Sequence, residues 1–257
     1  MDAYRQIILN RVQYEVRYKF DLIFRLLLSF IPTVITALVW GAVYRSNHDL
    51  SYEVFYSYNY MLKYIIFANV FFNIIKINNY AISNDIRSGD LNRYLLRPIR
   101  YVVHKLWSDF GGFLVNLLFM TIPLLAIAFI FRISLIQMIS FLIMSILSFG
   151  IMFLIVIILS SLTFWFMEVS FLFATIGFVT SFLSGTLVPV SIMPDFIRFI
   201  SNLLPFRFFG YEAAVYIITG EMRNLILLQQ LAWICFLYLV SKILWRKGLI
   251  VYGAFGG

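Results

Sequence analysis

Long apolar segments dominate the chain and alternate with short polar ones. An α-helix rises 1.5 Å per residue, so about 20 apolar residues cross the hydrocarbon core of a bilayer. Six segments reach this length. The pattern predicts an all-α membrane protein in which a single transmembrane domain occupies residues 1–257. The predicted spans are residues 22–43, 55–82, 112–131, 138–162, 169–188 and 225–244.

The first 21 residues carry several charges but also place apolar side chains on one broad helical face. These side chains are Tyr4, Ile8, Val12, Val16 and Phe20. Such a face is typical of a helix lying along a membrane surface. Residues 12–20 also alternate between apolar and polar, which is a strand pattern. A lone strand at a bilayer leaves its backbone groups unpaired, so we predict an amphipathic interfacial helix.

Residues 189–223, between the fifth and sixth predicted spans, are only partly apolar. Two short helical patterns fit there, around residues 195–204 and 208–218, and Pro194 and Pro205 precede them. Each pattern has about half the length that a membrane crossing requires. We therefore predict a re-entrant or interfacial hairpin on the outer side of the membrane, before the last span.

Polar side chains recur within the second predicted span. Asn69, Asn73 and Lys76 are spaced as i, i+4 and i+7 and so share one helical face. Polar groups at membrane depth normally face protein or a water-filled path. We therefore interpret Asn69 and Asn73 as residues of a pathway through the membrane.

Small side chains form a second stripe in the fifth predicted span. Gly177, Ser181 and Gly185 are spaced as i, i+4 and i+8. Small residues on one face let helices approach closely in lipid. This face is consistent with packing inside one chain, and equally with packing at the centre of a dimer beside the pathway.

Composition agrees with a membrane environment. The chain is 62% hydrophobic and 12% charged, against roughly 45–50% and about 25% in soluble domains. The net charge of +8 does not indicate nucleic-acid binding, because 14 of the 20 Lys and Arg residues flank alternate ends of the spans. By the positive-inside rule, we predict a multi-pass protein of the cell membrane with both termini in the cytoplasm.

The sequence lacks the motifs of several chemistries. It has no G-x-x-x-x-G-K-[ST] loop for nucleotides, no H-E-x-x-H zinc motif and no G-x-S-x-G elbow. The predicted spans carry few titratable residues, whereas a membrane enzyme needs a converging set. We therefore predict that this chain is not an enzyme and holds no cofactor. Energy for transport would have to come from a partner.

The segment of residues 83–109, between the second and third predicted spans, is charged and punctuated by Gly and Pro. Ser88 and Gly89 break the second helix, and Asp90 favours the start of a short following helix. Leu91, Tyr94 and Leu95 give that helix an apolar face, and Pro98 ends it. Such a helix could receive a push from a soluble subunit. An ordinary positively charged cytoplasmic loop is the alternative.

Two motifs resemble those of a known family. The run from Asp85 to Ile99, with Ser-Gly-Asp-Leu and Tyr-Leu-Leu-Arg-Pro-Ile, is similar to permease subunits of the type-2 class of ABC exporters. The run Phe182 to Pro189, followed by Met193-Pro194 and Leu204-Pro205, resembles the end of the fifth span in that class. There the family often has Asn-Pro where this chain has Leu204-Pro205.

The resemblance implies a function and partners. The segment between spans two and three would be the coupling helix that docks on cytoplasmic ABC ATPase subunits, which carry the ATP and Mg. A second permease, identical or related, would complete a dimer. The residues implied in ATPase coupling are Asp85, Arg87, Gly89, Asp90, Leu91, Arg93, Tyr94, Leu95 and Pro98.

The cargo implied is amphiphilic: a lipid-like molecule, a drug or a peptide. The chain also looks like a bacterial branch in which two related permeases accompany one ATPase, which implies a bacterial plasma membrane. A membrane enzyme active without ATP, or a six-span scaffold without an ATPase, would be the alternatives.

Overall fold

The computed structural model describes residues 2–46, 57–96, 98–166, 168–222 and 225–255, and within these the fold is entirely helical. Three short 3-10 turns, Leu162–Phe164, Val190–Ile192 and Pro205–Phe209, connect the α-helices. The α-helices are α1 (Asp2–Arg17), α2 (Lys19–Ser46), α3 (Tyr58–Ile75), α4 (Ala81–Arg87), α5 (Leu91–Leu95), α6 (Tyr101–Phe131), α7 (Leu135–Ser161), α8 (Ser170–Leu183), α9 (Asp195–Leu203), α10 (Tyr211–Thr219) and α11 (Ile226–Phe255).

In the described part of the chain, three helical stretches are long and apolar enough to cross a membrane. They are Lys19–Ser46, Leu135–Phe164 and Ile226–Tyr252, and they contain the first, fourth and most of the sixth predicted spans. Helix α6 also carries the third predicted span, residues 112–131, within one continuous helix. The all-α membrane class is therefore confirmed.

The second predicted span is not one helix. Helix α3 ends at Ile75, and Lys76 adopts an extended backbone with ψ of 132°. The Asn78 side chain then accepts a hydrogen bond from the Tyr80 N–H at 3.2 Å, a local turn that competes with helix. The prediction of helix through residue 82 is therefore wrong at this end, because α4 starts separately at Ala81. Residues 55 and 56, where the prediction began, lie outside the described residues.

The fifth predicted span, residues 169–188, is also shorter than expected. Helix α8 has 14 residues, or about 21 Å. It ends at Leu183 because Ser184 and Thr186 direct their hydroxyls to the Ser181 carbonyl, at 3.1 and 2.8 Å. Gly185 then takes a φ of +79°, a left-handed conformation that commonly terminates helices.

The two short helices predicted after this span are present as α9 and α10. Between them Arg207 is buried and lies 3.4 Å from the Glu212 carboxylate. Its guanidinium also donates to the side-chain oxygens of Asn202 at 2.8 Å and Gln229 at 2.6 Å. This network joins α9, α10 and the start of α11, so the two short helices are fixed to the long C-terminal helix.

The N-terminal segment is a helix, as predicted, and not a strand. Helix α1 lies along the first part of α6, where Gly111 meets the Ile8 backbone and the Arg11 side chain. The rings of Tyr4 and Trp107 are 5.6 Å apart. Val16 stays exposed. The apolar face is therefore divided between the protein and its surroundings.

Aromatic rings hold the start of α6 against the end of α11. Tyr101 stacks on Trp245 with ring centroids 5.5 Å apart and an angle of 4°. Phe164 contacts Trp245 at 5.3 Å and Tyr252 at 5.7 Å. Helices α4 and α5 lie beside this cluster, because Asp85 accepts a hydrogen bond from the Tyr101 hydroxyl at 2.6 Å.

Candidate functional site

A cavity of about 740 Å³ opens between α1, α2, α3, α6 and the end of α8. This volume is in the range of small-molecule sites, about 300–1,000 Å³. One end is lined by the charged residues Arg11, Glu15, Asp21, Arg25, Lys76 and Asp109. Farther along the cavity, Asn69, Asn73, Asn116, Ser181 and Thr186 provide polar groups between apolar walls.

The two asparagines predicted in the pathway both line this cavity. Asn69 donates to the Ile65 carbonyl at 2.9 Å and to the Thr186 carbonyl at 3.2 Å. Asn73 donates to the Ser29 carbonyl at 3.3 Å. Lys76 reaches the same cavity from just beyond the end of α3. The polar stripe therefore faces a cavity and also links α3 to its neighbours.

The stripe of small residues is divided by the structure. Ser181 lines the cavity. A Cβ added to Gly177 would meet nothing within 4 Å among the described residues. Gly185 is not on the helix at all, since α8 ends at Leu183. It is buried against Tyr64 and Tyr211 of the same chain, which favours the alternative of packing within the chain at this position.

The non-helical segment after α8 is held by side chains of α2 and α3. Three consecutive carbonyls accept hydrogen bonds there: Gly185 from Tyr64 Oη at 2.7 Å, Thr186 from Asn69 Nδ2 at 3.2 Å, and Leu187 from Trp40 Nε1 at 3.2 Å. Irregular backbone at membrane depth requires such partners. Sequence reasoning missed Tyr64 and Trp40, because nothing in their local pattern distinguishes these donors from other aromatic residues.

The charged end of the cavity contains a buried carboxylate between two arginines. Glu15 is almost fully buried and pairs with Arg11 at 2.7 Å and Arg25 at 2.5 Å. Sequence reasoning missed this group, although Arg11 and Glu15 are spaced as i and i+4, which is a signal for an ion pair. Burial raises the pKa of Asp109, three residues before the third predicted span, to about 6, against the lowering effect of Lys105 and Arg11.

The segment predicted to contact an ATPase folds as α4, a turn at Gly89 with φ of +78°, and α5. Leu91 is 0% exposed, so it anchors α5 within the chain and offers no surface to a partner. Tyr94 is half-buried, with its ring 5.2 Å from Tyr101 and 5.0 Å from His104. The exposed apolar side chains are Leu95 at 49% and its neighbour Leu96 at 90%.

The charged residues of this segment are also engaged within the chain. Asp85 pairs with Lys105 at 2.8 Å, which fixes α4 to α6. Asp90 accepts a hydrogen bond from the Ser88 hydroxyl at 2.8 Å and lies 3.3 Å from Arg93. The helix ends at Leu95, before the bend at Pro98.

Arg87 connects this segment to the loop before α8. Its guanidinium lies 3.1 Å from the Glu168 carboxylate. Hydrogen bonds from Ser170, with a further contribution from Arg87, lower the pKa of Glu168. The carboxylate is therefore charged at neutral pH and available to this pair.

In the part of the chain that the structure describes, no group of His, Cys, Asp and Glu is arranged to hold a metal ion.

Residues 30–256 match the model of a protein family described as ABC-2 family transporter protein. No curated protein matches the chain significantly. The match covers most of the chain and confirms the predicted resemblance to type-2 ABC permeases. Permeases of this family generally work with ABC ATPase subunits and dimerise. The chain therefore belongs to the ABC-2 family of transporter proteins.

Proposed function

We propose that this permease provides the route by which an amphiphilic molecule is exported, driven by a separate ATPase that binds the ATP and Mg. The observation that carries the proposal is the cavity. It brings together Asn69, Asn73 and Ser181, which come from two helices more than 100 residues apart in sequence. Apolar walls with a few polar groups suit an amphiphile.

The proposed arrangement in the membrane keeps six spans, with α3, α6 and α8 joining the three longest helices. Both termini and the α4–α5 segment face the cytoplasm of a bacterial cell, as the distribution of Lys and Arg favours. The α9–α10 hairpin lies at the outer surface. The short α8 and the irregular segment after it are sheltered by α2 and α3, whose side chains satisfy that segment's carbonyls.

The proposed mechanism is alternating access. When ATP closes the ATPase pair, the ATPase displaces α4 and α5. The pair between Asp85 and Lys105 passes this displacement to α6, and the pair between Arg87 and Glu168 passes it to the loop before α8. Both α6 and α8 line the cavity, so the movement changes the shape of the route.

A second permease, identical or related, would complete the transporter. The face of α8 around Gly177 is open in the single chain, and the neighbouring Phe178 is largely exposed. We place the partner permease against this face. The two related permeases of the bacterial branch would meet here.

The coupling surface is tested by replacing both Leu95 and Leu96 with alanine. Because these are the exposed apolar side chains of the segment, their loss should weaken ATPase docking by on the order of 2 kcal/mol, as for interface hot spots. The measurements are co-purification of the ATPase and transport-linked ATP hydrolysis.

The matched control is the double change Leu135→Ala and Ile136→Ala. These side chains are also exposed but lie at the start of α7, which the topology places on the outer side. Membrane insertion should survive in both variants. Normal ATPase recovery and normal coupled hydrolysis after the Leu95 and Leu96 changes would eliminate this segment as the coupling element.

A further inference from the structure

We propose that the charged end of the cavity binds the headgroup of a zwitterionic phospholipid, with its phosphate at Lys76 and its amine at Asp21. The acyl chains lie against the apolar side chains of α2. The inference rests on the proposed function, because it names the class of amphiphile that the exporter takes up. The lipid comes from the cytoplasmic leaflet and enters the cavity from the side.

Two opposite charges are left over at this end of the cavity. The Glu15 carboxylate already forms ion pairs with Arg11 and Arg25. Lys76 and Asp21 are exposed and line the cavity, and neither side chain forms a hydrogen bond or ion pair with another described residue. One unpartnered cation and one unpartnered anion in the same cavity complement a ligand that carries both charges.

Asp109, the third carboxylate at this end of the cavity, does not neutralise Lys76. Asp109 is more than half covered by protein, and burial raises its pKa to about 6. The positive charges of Lys105 and Arg11 act in the opposite direction, so Asp109 is ionised at neutral pH and offsets the surplus positive charge that Arg11 and Arg25 leave beside Glu15. The charges left for a ligand are those of Lys76 and Asp21.

The wall formed by α2 is open to the side. Phe24 is 63% exposed and Leu28 is 46% exposed, and both line the cavity. Leu27 and Ile31 continue this apolar surface along α2 outside the cavity. A lipid can therefore place its headgroup inside while its acyl chains remain on an apolar surface continuous with the bilayer.

The depth of the two charges matches that of a headgroup. Asp21 precedes the first predicted span, and Lys76 follows the end of α3, so both lie at the predicted cytoplasmic boundary. A lipid of that leaflet reaches them without its headgroup first crossing hydrocarbon. Beyond them Asn73 and Asn69 line the same cavity and offer polar contacts deeper in the protein.

Other lipid classes fit these charges less well. An anionic headgroup has no amine for Asp21 and places two negative charges near each other. An uncharged lipid leaves both charges without a partner. Recognition sites reject ligands that leave polar groups unpaired or set like charges together, so the cavity should prefer the zwitterion.

The test uses the full chain in nanodiscs that contain a trace of photoactivatable phosphatidylethanolamine. Parallel samples carry the same probe on phosphatidylglycerol or on diacylglycerol. We expect about tenfold more labelling by the zwitterionic lipid, the difference that one charge-assisted hydrogen bond produces. Lys76→Gln and Asp21→Asn should each remove that preference. The exchange Lys76→Asp with Asp21→Lys should restore part of it.

Matched controls are Lys242→Gln and Asp195→Asn, exposed charges outside the cavity, which should leave labelling unchanged. Equal labelling by all three lipids, or labelling unaffected by both cavity variants, would overturn the proposal. The soluble headgroup glycerophosphoethanolamine should not compete. Effective competition by it would show a water-soluble ligand instead.

The two proposals fail separately. If the ATPase copurifies and is coupled but no headgroup preference is found, the lipid site is refuted and the exporter function stands. If the preference is found but no ATPase copurifies, the lipid site is supported and the ATP-driven function is refuted.

Discussion

Replacing Glu212 with alanine is expected to lower the free energy of unfolding by about 3–5 kcal/mol, the cost of leaving a buried charge without its partner. Glu212 is 2% exposed and its carboxylate lies 3.4 Å from the buried Arg207 guanidinium. Asn202 and Gln229 also bond Arg207 but carry no charge. They cannot neutralise it.

The loss can be measured by thermal or denaturant unfolding in detergent, followed by tryptophan fluorescence. Glu221→Ala is the matched control, because Glu221 is an exposed residue just after α10 and should change stability by less than about 0.5 kcal/mol. In a double-mutant cycle, Arg207→Ala combined with Glu212→Ala should cost less than the sum of the single changes. Additive costs would show that the pair is not coupled.

Gly185→Ala is expected to have the second largest effect. A Cβ at this position would lie 2.5 Å from the Tyr64 hydroxyl and 3.0 Å from the Tyr211 Cβ. That hydroxyl donates to the Gly185 carbonyl itself, so it cannot move without losing its bond. Overpacking costs about 1–3 kcal/mol, and the left-handed conformation at φ of +79° adds about 1–2 kcal/mol for alanine.

The chain offers a control with nearly the same backbone. Gly89 has φ of +78°, and a Cβ there would meet nothing within 4 Å among the described residues. Gly89→Ala should therefore show only the conformational cost, and the difference between the two variants measures the steric part. Equal losses of unfolding free energy in the two variants would contradict the close packing at Gly185.

Hydrophobic pattern predicted the helical class and most long helices because span length and apolar content are local properties. The residues at which α3 and α8 end were not predictable in the same way. The end of α3 depends on a turn made by one side chain, Asn78. The end of α8 depends on the hydroxyls of Ser184 and Thr186. Both segments are apolar enough to resemble continuous spans, so hydropathy alone does not show where these helices end.

The candidate site was predicted to a similar extent. The spacing of Asn69 and Asn73 predicted that they share one helical face, and both line the cavity; their place in a transport pathway stays a prediction. The same periodicity could not show that Leu91 faces the chain's own core. The direction in which Leu91 faces depends on contacts with residues distant in sequence. The position of Glu15 between Arg11 and Arg25 depends on such contacts too.

The three side-chain bonds to the carbonyls of residues 185–187 have a consequence for motion. Pulling this segment away from α3 would break the bonds from Tyr64 and Asn69 and leave bare carbonyls without water to replace them. The segment after α8 and the middle of α3 should therefore travel together as one rigid body. Any hinge must then lie where backbone is already free of helix, and Lys76 to Tyr80, between α3 and α4, is such a place.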